Sequence, residues 1–502
     1  MKQWLKLQNG SDIRGVAMDG IASEPVTLTS LEAAYIAKGF VKWLMKHEGL
    51  DTSEICIAFG RDSRCTGQEL LASATEGVIE TGAHAIDCGI ASTPSLFMST
   101  MFEETATSAG VMITASHLPF NRNGLKFFTE KGGLDKKDIK EILENAIELY
   151  EEKTTPVKEK GQCNSYDLLS RYSQFLVEKI REGVNHPTQY EKPLNGLNII
   201  VDAGNGAGGF FADKVLSPLG ADTRGSQFLD PDGYFPNHIP NPEDADAMAS
   251  IQEATIKQKA DLGIIFDTDV DRAAIVDGSG EIINRNRLIA LMSAIVLETS
   301  PGATIVTDSV TSDGLSTFIA KLGGVHHRFK RGYKNVINES IRLNETGILS
   351  PLAMETSGHG AMMENFFLDD GAYTVTKVLI AMSKLKAQDK SLFDLINTLE
   401  EPAEAKEIRY KIALEDFRAY GENVIAKLEE LANKKDGFSI VPNSHEGVRI
   451  NWSIDGFSGW ILLRLSLHDP VLPMNVEANE DGGLKKIMPV LENFFKQFNA
   501  LN

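Results

Sequence analysis

Three stretches of the chain share one rhythm of apolar and polar positions. ICIAFGRDSR (55–64), LNIIVDAGNG (197–206) and TIVTDSVTSDG (304–314) are short apolar runs rich in β-branched residues, each ending in a turn of Asp, Gly or Ser. Runs closed by such turns predict buried strands. Apolar positions at helical spacing follow each run, as in ELLASATEGVIE. A small-residue turn then leads to another run: TGAHAIDCG, LGADTRG and LGGVHHRF. This alternation predicts α/β units with mostly parallel sheets. A third run closes each unit in a compact polar loop: AGVMITASHLP (109–119), DLGIIFDTDVDR (261–272) and ILSPLAMETSGHG (348–360). Ligands of open α/β sheets bind at the carboxyl ends of strands, so three such loops predict one shared site.

After about residue 400 the rhythm changes. EEPAEAKEIRYKI reads as a linker. It leads into a long charged helix (EDFRAYGENVIAKLEELANKK), amphipathic strands GVRINWSI and GWILLRLSL, and a closing helix LKKIMPVLENFFKQF. The expected architecture is three related α/β domains with mixed, mostly parallel sheets plus a smaller C-terminal α+β domain. The boundaries expected are 1–162, 163–287, 288–402 and 403–502. The charged stretch 150–164 marks the first, and spacing alone marks the second.

Composition narrows the function classes. At 502 residues the chain is too long for one ordinary core. No apolar run reaches the roughly 20 residues of a membrane span, and MKQWLKLQNGSDIRG lacks the apolar core of a secretory signal. Four cysteines without CxxC spacing fit a reduced, cytoplasmic protein. A formal net charge of -20 opposes non-specific attraction to nucleic acid or anionic lipid. Any phosphate site must therefore be built locally, from arginines, backbone N–H groups and a metal.

The loops carry residues suited to such a site. In TASHLPFNRNGLKFF, Ser116 follows a strand beside His117, with Lys126 within one loop's reach. It is a candidate nucleophile or phosphate carrier, or a turn serine capping the next helix. In DTDVDR, Asp267, Asp269 and Asp271 alternate, so an extended backbone would point all three one way. Three close carboxylates repel unless a cation intervenes, and oxygen ligands suit Mg²⁺. A solvated acidic turn is the alternative. Arg272 is placed to clamp a phosphate beside the metal. METSGHG sets Glu355, Ser357 and His359 at alternate positions, either to meet sugar hydroxyls and exchange a proton or as a helix N-cap. RLSLHDP offers Arg464, Ser466 and His468 as a pocket for a non-reacting phosphate, or as a surface strand.

Together these loops resemble the α-D-phosphohexomutase superfamily, of the phosphomannomutase/phosphoglucomutase type, over nearly the whole chain and in order. The family's TASHNP, DGDxDR, GExSGH and RxSGTEP stand here as TASHLP, DTDVDR, METSGH and RLSLHDP. NGSDIRG, GRDSR, VDAGNGAG, DGYFPNHIPNPE and RGYKNV add to the likeness. The resemblance implies that the four domains surround a central cleft, with a phosphorylated Ser116 sharing one Mg²⁺ with Asp267, Asp269 and Asp271. It implies Lys126 and His359 as proton-transfer or charge-stabilising groups, His117 and Arg14 as further catalytic residues beside Ser116, and Arg14, Arg61 and Arg272 lining the transfer site. Glu355 and Ser357 would grip sugar hydroxyls, Gly332, Tyr333 and Lys334 would help choose the sugar, and Arg464, Ser466 and His468 would hold the distal phosphate. The implied activity interconverts hexose 1-phosphate and hexose 6-phosphate of mannose or glucose through a hexose 1,6-bisphosphate. The expected partners are small sugar phosphates, with the chain a monomer or homodimer.

Leu118 and Thr268 depart from the family's Asn and Gly but keep the reacting groups. Leu467, His468 and Asp469 replace Gly (or Asn), Thr and Glu, and put the distal phosphate loop in question. Phosphoglucosamine mutase and hexose-bisphosphate synthase are the alternatives within the class. A catalytically silent sugar-phosphate-binding protein and a metal-binding phosphatase lie outside it.

Overall fold

The computed structural model describes residues 3–466 and 469–502. The apolar runs form strands, because each can be buried on both faces only inside a sheet. In the first domain Ala109–Ile113, Cys56–Arg61, His84–Ile90 and Cys163–Ser165 lie parallel in that order. Arg122–Thr129 closes antiparallel against Ala109–Ile113 and is followed across the sheet by Asp12–Val16. Helices Ser30–Glu48, Gly67–Ile79 and Lys136–Glu151 supply Phe40, Leu70 and Ile142 to its core. Thr29 and Glu32 form a reciprocal cap at the start of the first of these helices.

The second domain departs from the expected rhythm. Ile199–Asp202 and Leu262–Phe266 pair in parallel, and Ala273–Asp277 and Ile282–Ile283 follow antiparallel. The helix expected after the first run is a single wide turn, Phe211–Leu216. LGADTRG makes only an isolated bridge, Asp222 with Asn198, and Gln227 just beyond it makes another with Asp202. Gly209 explains the crowding: a Cβ there would lie 2.2 Å from the Leu229 carbonyl. In the third domain Val325–Arg328, Thr304–Thr307 and Leu352–Met354 are parallel.

The C-terminal domain is a five-stranded antiparallel sheet with helices Phe417–Lys434 and Gly483–Phe495. EEPAEAKEIRYKI is not a linker. Glu404–Lys411 is an edge strand paired along its length with Val471–Ala478. Its side chains are mostly exposed and charged, as edge strands require to avoid pairing with other chains.

The chain divides into two compact units. The first holds everything up to Asn284, with Ser357–Gly360 and Asn365–Leu392. The second holds Arg285–Thr356, Ala361–Glu364 and Phe393–Asn502. Helix Gly371–Lys386 thus belongs to the first unit. Tyr373 stacks there on Phe175 (6.3 Å), and Asp370, just before the helix, accepts from Tyr172 Oη at 2.6 Å.

Candidate active site

In the first unit, Ser116 sits on the connection between two antiparallel strands, not at the start of a helix. Its φ of 48° is left-handed, a conformation a non-glycine residue adopts at a cost of roughly 1–3 kcal/mol. The turn is held by Ser116 N donating to Thr114 Oγ1 (2.8 Å). Gly124 is demanded by close approach, since a Cβ there would meet the Ile13 carbonyl at 2.0 Å. Arg14 braces the same strand end by donating to the Thr114 carbonyl while pairing with Asp12 at 2.8 Å.

The three aspartates converge through a tight turn rather than along an extended segment. Val270 takes φ 67° inside it, fully buried. Two glycines let other backbones press against this turn. A Cβ at Gly206 would lie 2.8 Å from Thr268, and one at Gly371 would lie 2.6 Å from the Arg272 backbone. Ala207 N and Gly371 N donate to the Thr268 and Val270 carbonyls (2.8 and 3.1 Å). One ligand oxygen from each of Asp267, Asp269 and Asp271 lies within 4.8 Å of the others.

The serine and the aspartates meet. Ser116 Oγ donates to Asp267 Oδ2 (3.2 Å) and accepts from Arg272 Nη2 (3.3 Å). Arg272 Nε also donates to Asp267 (3.1 Å), and its Nη1 to Asn241 Oδ1 (3.0 Å). Its Nη2 lies 2.7 Å from His117 Nδ1, so that ring nitrogen accepts and the imidazole is neutral. Lys126 Nζ donates to Asp269 Oδ2 (3.0 Å) and Asp271 Oδ2 (2.5 Å). Arg61 donates to the Asp62 carbonyl at 3.1 Å. No bond from it to the serine or the aspartates is found among the described residues.

The charges are unevenly met. Burial, with Asp271 beside it, pushes the Asp267 carboxyl well above the usual range. Burial acts the same way on Asp271, but Lys126, His359 and Arg272 outweigh it and hold that group below the range. Burial would lower Lys126, yet Asp269 and Asp271 raise it further. His359 Nδ1 lies 2.6 Å from Asp369 Oδ2 and 3.9 Å from Asp271. Burial is overcome there too, and the imidazole is raised to about 9. Asp269 Oδ1 and Asp271 Oδ1, both buried, have no hydrogen-bond partner among the described residues. Orphaned carboxylate oxygens in a cluster short of positive charge fit a hard divalent cation.

The second unit holds a separate constellation. Gly332 (φ 115°) precedes helix Tyr333–Glu345, which begins with Tyr333 and Lys334, and donates its N–H to Glu355 Oε1 at 2.5 Å. Glu446 accepts from Ser309 Oγ (2.6 Å), Arg331 N (3.1 Å) and Arg464 Nη1 (3.5 Å). Ser466 N donates to the Val471 carbonyl (3.0 Å). Ser357 and His359 belong to the first unit, so the METSGHG loop is shared out between the two. His468 and Leu467 lie outside the described residues.

Sequence reasoning missed Asp369, Arg64 and Glu446. Asp369 stands in LDD ahead of an apolar helical pattern, which reads as capping, and Asp370 is indeed the N-cap. Arg64 stood in the quoted GRDSR stretch without a role. Nothing local distinguishes Glu446.

With this geometry in hand, comparison with known proteins is direct. Residues 6–154, 172–280 and 284–402 match α/β/α domains I, II and III of phosphoglucomutase/phosphomannomutase. A phosphomannomutase/phosphoglucomutase of Pseudomonas syringae pv. tomato is 30% identical over 488 residues, covering 97% of this chain and 94% of that one. A phosphoglucomutase/phosphomannomutase family protein from Burkholderia thailandensis, solved by crystallography, superposes with a TM-score of 0.79 at 26% identity, covering 99% and 98% of the two chains. The fold is shared more distantly by an Aspergillus fumigatus N-acetylphosphoglucosamine mutase in complex with GlcNAc-6P and magnesium: 13% identity, TM-score 0.54, 92% and 97% covered. The chain belongs to the phosphoglucomutase/phosphomannomutase family of the α-D-phosphohexomutases. It is a hexose-phosphate mutase, an enzyme of the isomerase class. No helix among the described residues is long and apolar enough to cross a membrane.

Proposed function

We propose that the protein interconverts the 1-phosphate and 6-phosphate of mannose and glucose by passing a phosphoryl group through Ser116. One observation carries this reading. Ser116 Oγ stands 3.2 Å from Asp267 and 3.3 Å from Arg272, at the rim of a carboxylate cluster with unmet oxygens. Asp267, Asp269 and Asp271 would hold Mg²⁺, whose charge would offset that of the phosphoryl oxygens. A phosphoserine adds about two negative charges to a centre already short of positive ones.

Phosphoryl transfer needs positioning and charge neutralisation more than covalent work. The P–O bond to Ser116 breaks as one forms to a sugar hydroxyl, and the hydroxyl's proton ends on Ser116 Oγ. Arg272 reaches the serine oxygen and steers the group. Lys126, fixed by two aspartates, supplies steady positive charge. His359, 2.6 Å from Asp369, is placed to stabilise charge or to exchange a proton. The hexose 1,6-bisphosphate then turns over and returns its other phosphoryl group to Ser116. Glu355, Gly332, Tyr333 and Lys334, with Ser357, would recognise the sugar. Arg464 and Ser466, with His468, would hold the phosphate that is not reacting.

Ser116→Ala tests the reading. Mutase turnover is expected to fall by orders of magnitude, because phosphate monoesters react extremely slowly without a catalyst. Mass spectrometry of the wild type is expected to find a phosphate on Ser116 that a hexose phosphate removes. Undiminished turnover in the variant would end the proposal. Assays on mannose, glucose and glucosamine 6-phosphates, with and without added bisphosphate, separate mutase from bisphosphate synthase and name the sugar.

A further inference from the structure

The connection that carries Ser116 runs from Thr114 to Asn121 with little structure of its own. Its internal backbone bonds are few: Leu118 N to the Ala115 carbonyl (3.1 Å) and Arg122 N to the Pro119 carbonyl (3.0 Å). Such a loop would wander, and with it the serine oxygen, unless something outside it fixed the peptide planes. Its two ends are tied from outside, Thr114 by Arg14 and the Asn121 carbonyl by Ala17 N (2.8 Å), and between them one guanidinium makes most of the anchoring bonds. Arg64, on the turn after strand Cys56–Arg61, is 1% exposed. Its Nη2 donates to the carbonyls of Ser116 (2.5 Å) and Leu118 (2.6 Å). Its Nη1 donates to those of Pro119 and Arg122 (both 2.8 Å). Four carbonyls from one seven-residue segment thus turn inward onto a single planar fork.

Arg64 is itself immobilised. Its backbone N–H donates to Asp62 Oδ1 at 2.9 Å, and its Nε lies 3.4 Å from Asp62 Oδ2, with both side chains buried. The Phe235 ring covers the guanidinium carbon at 5.3 Å. The bond to the Ser116 carbonyl matters most, because it fixes the peptide plane next to a residue held at φ 48°. That plane decides where the serine Cβ points, and so whether Oγ reaches Asp267 and Arg272. A lysine could not replace this fork. Its three donors leave one nitrogen, which cannot serve four carbonyls spread along the loop.

We propose that Arg64 is the positioning residue of the transfer serine. It never touches substrate, and it sets the in-line placement of the phosphoryl group through four carbonyls. This rests on the reading of Ser116 as the phosphoryl carrier. In-line transfer is steep in geometry, and a misplacement of about 1 Å can cost about 100-fold in rate.

The test uses the full-length enzyme with Mg²⁺ and a hexose bisphosphate, and two variants, Arg64→Lys and Arg64→Ala. Arg64→Lys is expected to unfold cooperatively and still accept phosphate on Ser116. Its kcat should fall about 100-fold with KM essentially unchanged. Arg64→Ala is expected to lose more, and guanidinium chloride at tens of millimolar, far below denaturing levels, should restore at least about 10-fold by refilling the vacated fork. A folded Arg64→Lys with wild-type kcat would overturn the proposal. So would a loss spread equally over kcat and KM that guanidinium does not relieve. Should Arg64→Ala fail to fold, the Lys variant decides alone. A wild type that never carries phosphate on Ser116 brings down the carrier reading instead, which keeps the two failures apart.

Discussion

The two units meet their buried charges in opposite ways. Around Ser116 the carboxylates dominate. Asp267, Asp269, Asp271 and Asp369 face Lys126, Arg272 and His359, and all three cationic groups are raised despite burial. In the second unit the arginines dominate. Burial lowers Arg328 and Arg464. Burial and the neighbouring Arg328 push Arg449 down to about 9, even though it shares Asp313 with that neighbour. These guanidiniums stay charged at neutral pH, with burial outweighing their carboxylate partners Asp313 and Glu446. A cluster short of positive charge is built to take a cation, and one short of negative charge to take an anion. A protein with a net charge of -20 that handles phosphates needs both.

Removing the cation should break the comparison most severely. Chelation of Mg²⁺, or Asp269→Asn, is expected to lower turnover on the order of 1000-fold, the several kcal/mol that a Lewis-acidic ion contributes at a phosphoryl group. Hydrogen exchange should rise at 267–272 and stay level in strand Glu404–Lys411. Full activity in chelator would refute the metal assignment.

Next is Lys126→Met. The ammonium bridges two fully buried carboxylates, and removing one partner of such a set costs about 3–5 kcal/mol. Urea unfolding without metal should show that loss, and added Mg²⁺ should recover a larger share of stability in the variant than in the wild type. A loss that Mg²⁺ does not touch would place the ion elsewhere.

How much of this was readable from sequence follows from where each contact originates. Ser116, the three aspartates and Arg272 were legible because each stands at the end of an apolar run, and two short loops hold most of the chemistry. The path that joins the aspartates was not. Alternation suggested an extended segment, whereas Val270, a β-branched residue, takes a left-handed φ that its identity argues against. Glu404–Lys411 looked like a linker because an exposed edge strand has a linker's composition. Arg64 and Asp369 act over separations of 52 and 10 residues, set by strand order rather than by local pattern. The broken rhythm of the second domain came from close backbone approaches that no hydrophobic pattern records.

A pH titration sharpens the second unit's side of the comparison. Burial raises Glu477 from 4.5 to about 7, although Trp460 Nε1 donates to it at 2.6 Å and Arg449 opposes the shift. A carboxyl raised on folding stabilises the protein fully below its unfolded pKa. That contribution is lost as pH climbs from about 4.5 through about 7, by up to about 3 kcal/mol for a buried group. Glu477→Gln keeps an acceptor for Trp460 and should flatten stability over that window in denaturant titrations. An unchanged profile would mean that Arg449 holds the carboxylate ionised, and that the second unit is better balanced than its arginines suggest.

The smallest effect concerns the residue that stands where the family has glycine. Thr268 is fully buried between two of the aspartates, and its Oγ1 finds no hydrogen-bond partner among the described residues. Its backbone carbonyl is used by Ala207, so the hydroxyl alone is unmet. A buried hydroxyl without a partner costs about 1–3 kcal/mol, and Val matches Thr in shape while removing it. Thr268→Val should therefore raise the denaturation midpoint, by about 1 kcal/mol in stability once relaxation is allowed for. The measurement is best made with metal chelated, so that the aspartates report their own crowding. A lower midpoint would show that the hydroxyl is engaged in solution. The carboxylate-rich centre would then have one more donor among its own residues, and would lean correspondingly less on an added cation.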